Sequence, residues 1–266
     1  MGASVMQTPV RVIGITHRES PRHAHFVAIL EGLGIPYALS PAVFVQGELP
    51  WSSHYDHETR MRNLGYPMRA GEVGCFLAHR EAWKAAANHE GCTLILEDDA
   101  FVDPAKAADI IAASELLARN VMMARLISQP RPDFRPWRKL ASGTSLARPN
   151  RHGNLAVGYL LSQDCARSLL RHSETFWCPV DDFMNLEYVH RCLMLHFEPE
   201  IAEHRDGGVS LIGGRSKPSV NLRTRMVREL LRAWRNARGR LFSWIVLARL
   251  GLCFRQIEHP AAKPPA

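Results

Sequence analysis

A short apolar segment that ends in three consecutive acids constrains the fold of this chain more than any other feature. Residues 93–96 read Thr-Leu-Ile-Leu, and they are preceded by Gly91 and followed directly by Glu97, Asp98 and Asp99. The run is too short for a helix and is typical of a buried strand in a largely parallel sheet. Because open α/β sheets bind ligands at the carboxyl ends of their strands, the three acids are predicted to lie at a ligand site.

Three adjacent carboxylates at the end of a buried strand repel one another and favour a bound cation. Mg²⁺ or Mn²⁺ is the expected ion, since both prefer carboxylate oxygens and commonly hold a substrate phosphate as well. The alternative is a solvated acidic turn that caps the helix predicted to begin at Pro104.

The composition of the chain is that of a globular protein and disfavours several functional classes. Its 266 residues allow one domain or two small ones, and its 46% hydrophobic and 22% charged residues are ordinary for a soluble protein. No stretch approaches the roughly 20 apolar residues of a membrane-spanning helix, and residues 1–9 lack the pattern of a secretory signal. The six cysteines show neither a CxxC pair nor zinc-ligand spacing, so we expect free thiols in a reducing, cytoplasmic compartment.

The first part of the chain has the pattern of a βαβ unit. A β-branched run at 10–15 predicts a strand, residues 21–33 predict a helix, and 37–39 begin a second strand. Thr16 and Arg22 would then lie at the carboxyl end of the first strand, where they are candidates for contacts with the base or phosphates of a nucleotide. The alternative is that Arg22 only faces solvent.

Helical and strand patterns alternate through the middle of the chain. Residues 71–88 predict an amphipathic helix, 104–119 a second helix and 121–127 another strand. A strand is also predicted at 156–161, where Gly158 allows close backbone approach and is a candidate for donor contact. Ser162 is predicted to cap the helix that follows, and residues 193–197 to form a late strand.

The intervening segment 128–153 contains four prolines, five arginines and a lysine. We expect no regular element there. A long loop inside a domain is usually functional or flexible, so the segment is either a lid over an anionic substrate or a mobile insertion.

A second acidic pair, Asp181 and Asp182, lies where a loop is predicted to meet a short helix. Either carboxylate is a candidate general base facing the metal site. The alternative is that the pair only stabilises the helix N-terminus.

The character of the chain changes near its end, where much of the formal net charge of +7 is found. Residues 222–254 predict a basic amphipathic helix, in which arginines surround apolar residues at helical spacing. Such helices are typical of surfaces that bind anionic lipid; a helix docked on the domain and a nonspecific polyanion-binding tail are the alternatives. We therefore divide the chain into a catalytic domain at 10–215, a basic helical tail at 216–256 and a disordered end at 257–266.

Several of these motifs together resemble glycosyltransferase family 25, which includes bacterial lipooligosaccharide galactosyltransferases and collagen galactosyltransferases. Arg22 also falls where the family has an arginine after its first strand, and the resemblance weakens at residues 14–17. The matching runs, in order, are Gly-Glu-Val-Gly-Cys-Phe-Leu-Ala-His at 71–79, Trp83, Ile-Leu-Glu-Asp-Asp at 95–99, Gly-Tyr-Leu-Leu-Ser at 158–162 and Pro-Val-Asp-Asp-Phe at 179–183.

This resemblance implies a GT-A type fold, an α/β Rossmann-like mixed sheet flanked by helices. Glu97, Asp98 and Asp99 would hold Mn²⁺ or Mg²⁺ against the diphosphate of a UDP-sugar, and His204 would complete the metal shell. The family inverts the anomeric carbon, which requires a base for the acceptor hydroxyl; Asp181 matches the family pattern better than Asp182.

The resulting hypothesis is a metal-dependent inverting transferase that moves a sugar, expected to be galactose, from UDP to a lipopolysaccharide or lipooligosaccharide glycan. The basic helix would hold it at the inner face of the cytoplasmic membrane, with no specific nucleic acid partner. Two alternatives stay open: a metal-dependent phosphohydrolase, and a catalytically degenerate domain with a polyanion-binding tail.

Overall fold

A computed structural model describes residues 9–49, 52–140, 142–205 and 222–251. A 3₁₀ turn at Pro104–Lys106 precedes the fourth helix. The strands are β1 (Val10–Thr16), β2 (Tyr37–Pro41), β3 (Cys92–Glu97), β4 (Ala100–Val102), β5 (Met122–Arg125), β6 (Phe134–Lys139), β7 (Ser145–Pro149), β8 (Gly158–Ser162), β9 (Leu193–Glu198) and β10 (Ala202–His204). The helices are α1 (His23–Gly32), α2 (His57–Leu64), α3 (Ala70–Ala87), α4 (Ala107–Leu117), α5 (Gln163–His172), α6 (Val180–Met184), α7 (Glu187–His190) and α8 (Leu222–Arg249).

Eight of the strands form one mixed sheet in the order β2-β1-β3-β8-β5-β9-β7-β6. β1 pairs in parallel with β2 and β3, and β5 pairs in parallel with β9. β8 lies between β3 and β5 and is antiparallel to both. Helices cover both faces of the sheet, so the predicted α/β sheet flanked by helices is confirmed.

The strand β3 is buried on both faces because two separate cores meet across it. Leu94 and Leu96 face the core that contains α1 and α4, whereas Ile95 faces the core that contains α3 and α5. A strand with apolar partners on both sides needs no polar alternation, which is why residues 93–96 form a continuous apolar run. The ladder pairs Leu96 with Gly14 and Glu97 with Ile15, which brings the acids to the end of β1.

Gly14 sets how closely helix α1 approaches the sheet. A Cβ atom at this position would lie 2.7 Å from Leu30 and 2.8 Å from Phe26. Those distances are shorter than a van der Waals contact, so a larger residue would require the Leu30 and Phe26 side chains to move.

The expectation that residues 128–153 contain no regular element is wrong, because β6 and β7 form an antiparallel hairpin there. β6 is the outermost strand of the sheet, and its register shifts between Pro136 and Arg138. Proline is tolerated at edge strands and bulges, where its missing N–H leaves no sheet hydrogen bond unmade. The structure therefore assigns residues 134–139 and 145–149 of this proline-rich segment to the sheet.

The C-terminal helix is confirmed as α8, which packs against α2 and α7. Phe242 and Val246 are buried on its inner face, while its outer face exposes an apolar stripe. The stripe comprises Met226, Leu230, Trp234, Leu241, Trp244 and Ile245. Within the described residues, no helix combines the length and the apolar character needed to cross a bilayer. The predicted tail residues 216–221 and 252–256 and the predicted disordered end at 257–266 lie outside the described residues.

Candidate active site

The three acids occupy the turn between β3 and β4, with Glu97 as the last residue of β3. The end of β1 lies beside them, and β10 pairs with β4 so that His204 faces Ala100 across the ladder. Chain segments separated by about a hundred residues thus meet at one edge of the sheet. We call Glu97, Asp98 and Asp99 together the acidic turn.

Asp98 fastens the loop between β1 and α1 to the acidic turn. Its Oδ2 atom accepts hydrogen bonds from the hydroxyls of Thr16 at 3.2 Å and Ser20 at 2.9 Å. Its Oδ1 atom forms an ion pair with Arg22 at 2.9 Å. The predicted donor-binding residues Thr16 and Arg22 are therefore brought to the acidic turn, and Asp98 is their common partner. Ser20 belongs to the same cluster.

Glu97 is positioned by a buried chain of hydrogen bonds. The indole Nε1 of Trp83 donates to the Tyr159 hydroxyl at 2.8 Å, and this hydroxyl lies 2.8 Å from Nδ1 of His79. The indole is only a donor, so the hydroxyl accepts from it; the Glu97 carboxylate is only an acceptor, so Nε2 of His79 donates to it and leaves Nδ1 to accept the hydroxyl proton. The His79 proton is then on Nε2, which lies 3.0 Å from Glu97 Oε1. We call Trp83, Tyr159 and His79 the buried relay.

Asp99 is the acid in this turn with an unsatisfied oxygen. Its Oδ2 atom lies 3.2 Å from Nε2 of His204, whereas Oδ1 is buried without a hydrogen-bond partner among the described residues. Burial and the neighbouring Glu97 carboxylate raise the pKa of Asp99 to about 6, although His204 and Arg22 act in the opposite direction. Native proteins seldom leave a buried carboxylate oxygen unpaired, and a cation bound by Asp99 would satisfy it.

A second group of possible metal ligands lies on the other side of Glu97. The ligand atoms of Cys75, His79 and Glu97 all lie within 4.8 Å of one another, which is compatible with a metal ion. In the described structure, however, His79 donates its Nε2 proton to Glu97, and burial raises the pKa of the Cys75 thiol. Mg²⁺ and Mn²⁺ prefer oxygen to thiol ligands, so the carboxylates of Asp99 and Glu97 suit them better.

The second acidic pair lies at the start of α6, as predicted. Asp181 accepts the backbone N–H of Asp182 at 2.9 Å, and its carbonyl accepts from the buried Arg125 at 3.1 Å. Besides burial, the carboxylates of Glu97 and Asp181 both raise the pKa of Cys75. The acidic turn and Asp181 therefore act electrostatically on the same thiol.

Asp182 has the more perturbed carboxyl of this pair. The surrounding protein removes part of its hydration and, together with the like charge of Asp181, raises the pKa of Asp182 to about 6. Its side chain is nevertheless open to solvent. A carboxylate that is accessible and only weakly acidic suits a general base, whose pKa is best placed near the working pH.

Gly158 faces the core rather than the acidic turn. A Cβ atom there would lie 3.2 Å from Leu96 and 3.6 Å from Leu126. Its small size is thus explained by packing between β3 and β5. Donor contact through Gly158 stays a prediction.

Sequence reasoning did not assign a role to Arg125, Tyr159 or Cys75. Arg125 is fully buried at the end of β5, inside an otherwise apolar run. A charged residue in such a run is a signal, because arginine is rarely buried without a partner. Tyr159 gave no comparable signal, since a tyrosine in a strand is ordinary.

The comparisons with known proteins agree with this arrangement. A sequence profile of glycosyltransferase family 25, described as "LPS biosynthesis protein", matches residues 8–184. The chain belongs to glycosyltransferase family 25. The match spans β1, the acidic turn, the buried relay and the Asp181–Asp182 pair, so both candidate acid sites fall within the family region.

A relative in Acanthamoeba polyphaga mimivirus, named "Procollagen lysyl hydroxylase and glycosyltransferase", is 29% identical over 147 residues. The aligned region covers 51% of this chain and 16% of the relative. The chain thus matches a small part of that longer, two-activity protein.

Proposed function

We propose that the protein is a metal-dependent inverting glycosyltransferase that transfers galactose from UDP-galactose to a lipopolysaccharide or lipooligosaccharide glycan. The observation that carries the proposal is the unpaired, buried carboxylate oxygen of Asp99 beside Glu97 and His204. Family membership supports sugar transfer as the class of reaction.

In this proposal, Asp99, Glu97 and His204 would hold Mn²⁺ or Mg²⁺, and Asp98 supports the site through the adjacent loop. A bound divalent cation supplies positive charge that stabilises a departing nucleoside diphosphate. Arg22 contacts the donor phosphates by exchanging Asp98 for a phosphate oxygen, because a guanidinium binds either group through the same N–H donors. Thr16 lies where it can contact the nucleoside.

The acidic pair on α6 supplies the base. One carboxylate of Asp181 and Asp182 takes the proton of the acceptor hydroxyl as that oxygen attacks the anomeric carbon from the face opposite the diphosphate. Arg125 holds the backbone of Asp181 at 3.1 Å, which fixes where α6 begins. The weakly acidic, accessible Asp182 carboxylate supports its assignment as the base.

We further propose peripheral binding to an anionic membrane through the outer face of α8. Two tryptophans within an exposed apolar stripe, bordered by arginines, are typical of interfacial helices. The test is sedimentation with anionic and neutral vesicles. Leu230→Ser and Leu241→Ser should reduce sedimentation with anionic vesicles, whereas Leu49→Ser, an exposed leucine elsewhere on the protein, should not. Equal sedimentation of all four proteins would contradict this assignment.

The enzymatic test is UDP release from UDP-galactose and from UDP-glucose, with and without Mn²⁺ and a lipid-linked glycan. Wild type is compared with Asp99→Asn and with a control, Asp164→Asn, which removes an exposed surface carboxylate that pairs only with Arg167 among the described residues. Release that requires metal, acceptor and Asp99 would support the transferase. Metal-dependent turnover without acceptor would favour a phosphohydrolase, and no turnover or nucleotide binding would favour a degenerate domain.

A further inference from the structure

A cavity of about 860 Å³ lies between the inner face of α8 and the rest of the protein. Its other walls come from the end of β7, the following loop, and α6 and α7. Asp182 lies on its wall, so the cavity opens next to the proposed base. The volume is within the range of sites that hold small ligands.

The lining of this cavity is strongly basic. Six arginines line it, against two carboxylates, Asp182 and Glu187. They are Arg135, Arg148, Arg151, Arg232, Arg235 and Arg240. Bringing this many like charges to one concave surface is unfavourable unless anions neutralise them.

One of the two carboxylates is already neutralised by a buried ion pair. Arg148 contacts both oxygens of Glu187, at 2.5 Å and 2.6 Å, and Nε2 of His152 lies 2.9 Å from Oε2. Although burial alone would raise it, Arg148 and His152 hold the pKa of Glu187 well below its ordinary range. Glu187 therefore stays ionised and is paired with Arg148. Arg232 is paired with Glu229 of its own helix at 3.2 Å.

Two of the remaining arginines are available to a ligand. Within the described part of the chain, Arg151 and Arg240 have no hydrogen bond or ion pair. Arg235 donates to the Asn63 side chain at 3.2 Å and stacks over the ring of Trp177 at 5.2 Å, so it is held in place without an acidic partner. The cavity thus presents fixed and free guanidinium groups to one volume.

We propose that this cavity binds an anionic group, a phosphate or a carboxylate, on the glycan acceptor, and that α8 forms one wall of the acceptor site. The proposal rests on the proposed function, because Asp182 is both the proposed base and part of the cavity wall. Guanidinium groups bind phosphate and carboxylate through paired N–H donors. The aromatic residues Trp177 and Tyr188 also line the cavity and offer flat apolar surfaces to sugar rings.

The test is direct binding of three sugars to the full chain by calorimetry, without donor or metal. Glucose 6-phosphate and glucuronate carry the two candidate anions, and glucose is the neutral control. Arg151→Gln and Arg240→Gln are compared with Arg249→Gln, which removes a charge from the same helix outside the cavity. We expect the charged sugars to bind and glucose not to, and each cavity variant to weaken binding at least about five-fold, since each removes a charge-assisted hydrogen bond.

The relative affinities of the two charged sugars identify the anion, and four results would overturn the proposal. These are equal binding of glucose, equal weakening by Arg249→Gln, failure of both charged sugars to bind, and displacement of glucose 6-phosphate by UDP, which would place the donor in the cavity. Because this assay needs neither donor nor metal, its outcome is independent of UDP release, and the two proposals can fail separately.

Discussion

Replacing Tyr159 by phenylalanine tests whether the buried relay supports Glu97. The change removes one hydroxyl and keeps the ring, so packing between β3 and β5 is conserved. Two fully buried groups lose their partner: the indole N–H of Trp83 and Nδ1 of His79, each 2.8 Å from the hydroxyl. An unsatisfied buried polar group costs about 1–3 kcal/mol. The two unsatisfied groups together predict a loss of roughly 2–6 kcal/mol in the free energy of unfolding.

The loss of stability in Tyr159→Phe should be accompanied by a functional defect. Without the hydroxyl, nothing in the relay keeps the His79 proton on Nε2. The proton can then reside on Nδ1, and the imidazole no longer donates to Glu97. We expect weaker metal binding and a reduced rate of UDP release at saturating donor. Binding of Mn²⁺ by calorimetry measures the first effect, and steady-state kinetics with Mn²⁺ measures the second.

Unfolding is measured by urea titration followed by tryptophan fluorescence. Tyr66→Phe is the matched control, because the Tyr66 hydroxyl has no hydrogen bond within the described residues and its ring contact with Arg60 is kept. The control should change the free energy of unfolding by less than about 0.5 kcal/mol, as is usual away from buried interactions. If Tyr159→Phe is as mild as this control, the two 2.8 Å contacts do not exist as hydrogen bonds, and the reasoning fails.

Three further predictions concern the carboxylates. Without metal, Asp99→Asn should leave the midpoint of thermal unfolding unchanged or higher, because the raised pKa of Asp99 indicates that its charge is unfavourable there. The variant should also lose the increase in midpoint that Mn²⁺ gives to the wild type. An increase that is retained would exclude Asp99 as a ligand. Since the pKa of Asp182 is raised to about 6, kcat/KM should fall about tenfold per pH unit below that value, as the base becomes protonated; a flat profile down to about pH 5 would exclude Asp182. Glu187→Gln should destabilise the fold by roughly 3–5 kcal/mol, because it leaves Arg148 buried and unpaired. Folding lowers the pKa of Glu187, so its contribution to stability is complete above the ordinary pKa of a glutamate and is lost as the pH falls below that value. The free energies of unfolding of wild type and variant, measured by urea titration, should therefore converge in acid. A constant difference down to the acid range would contradict this.

The site elements that depend on local pattern could be predicted from the sequence. β3 has apolar neighbours on both faces, so its run of apolar residues identifies it without knowledge of its partners. Helix α5 begins at a serine whose hydroxyl accepts the Cys165 N–H at 3.2 Å, as an N-cap should. The acidic turn follows directly from β3, so its place at the sheet edge needed no further information.

Elements that depend on distant partners could not be predicted in this way. β6 contains Pro136 and is stabilised by pairing with β7 at the edge of the sheet, which local composition does not report. Helix α2 buries Arg60 and Asn63, so it lacks the apolar stripe that identifies most helices. The relay joins His79 to Tyr159 across eighty residues of sequence, and only the completed sheet brings them together.

The hydrogen bonds to Asp98 have a consequence for the thermodynamics of donor binding. Arg22 is held 2.9 Å from the Asp98 carboxylate before any ligand arrives, and the same carboxylate holds Thr16 at the end of β1 and Ser20 in the following loop. Ordering a long side chain on binding usually costs about 0.5–1.5 kcal/mol. Here the Arg22 side chain is already ordered in the folded protein, so an incoming phosphate replaces one anionic partner of Arg22 by another and does not have to order a mobile side chain. The enthalpy of this exchange should be small. Selectivity for phosphate over the Asp98 carboxylate then depends on the tetrahedral arrangement of oxygens on phosphorus, which a carboxylate lacks.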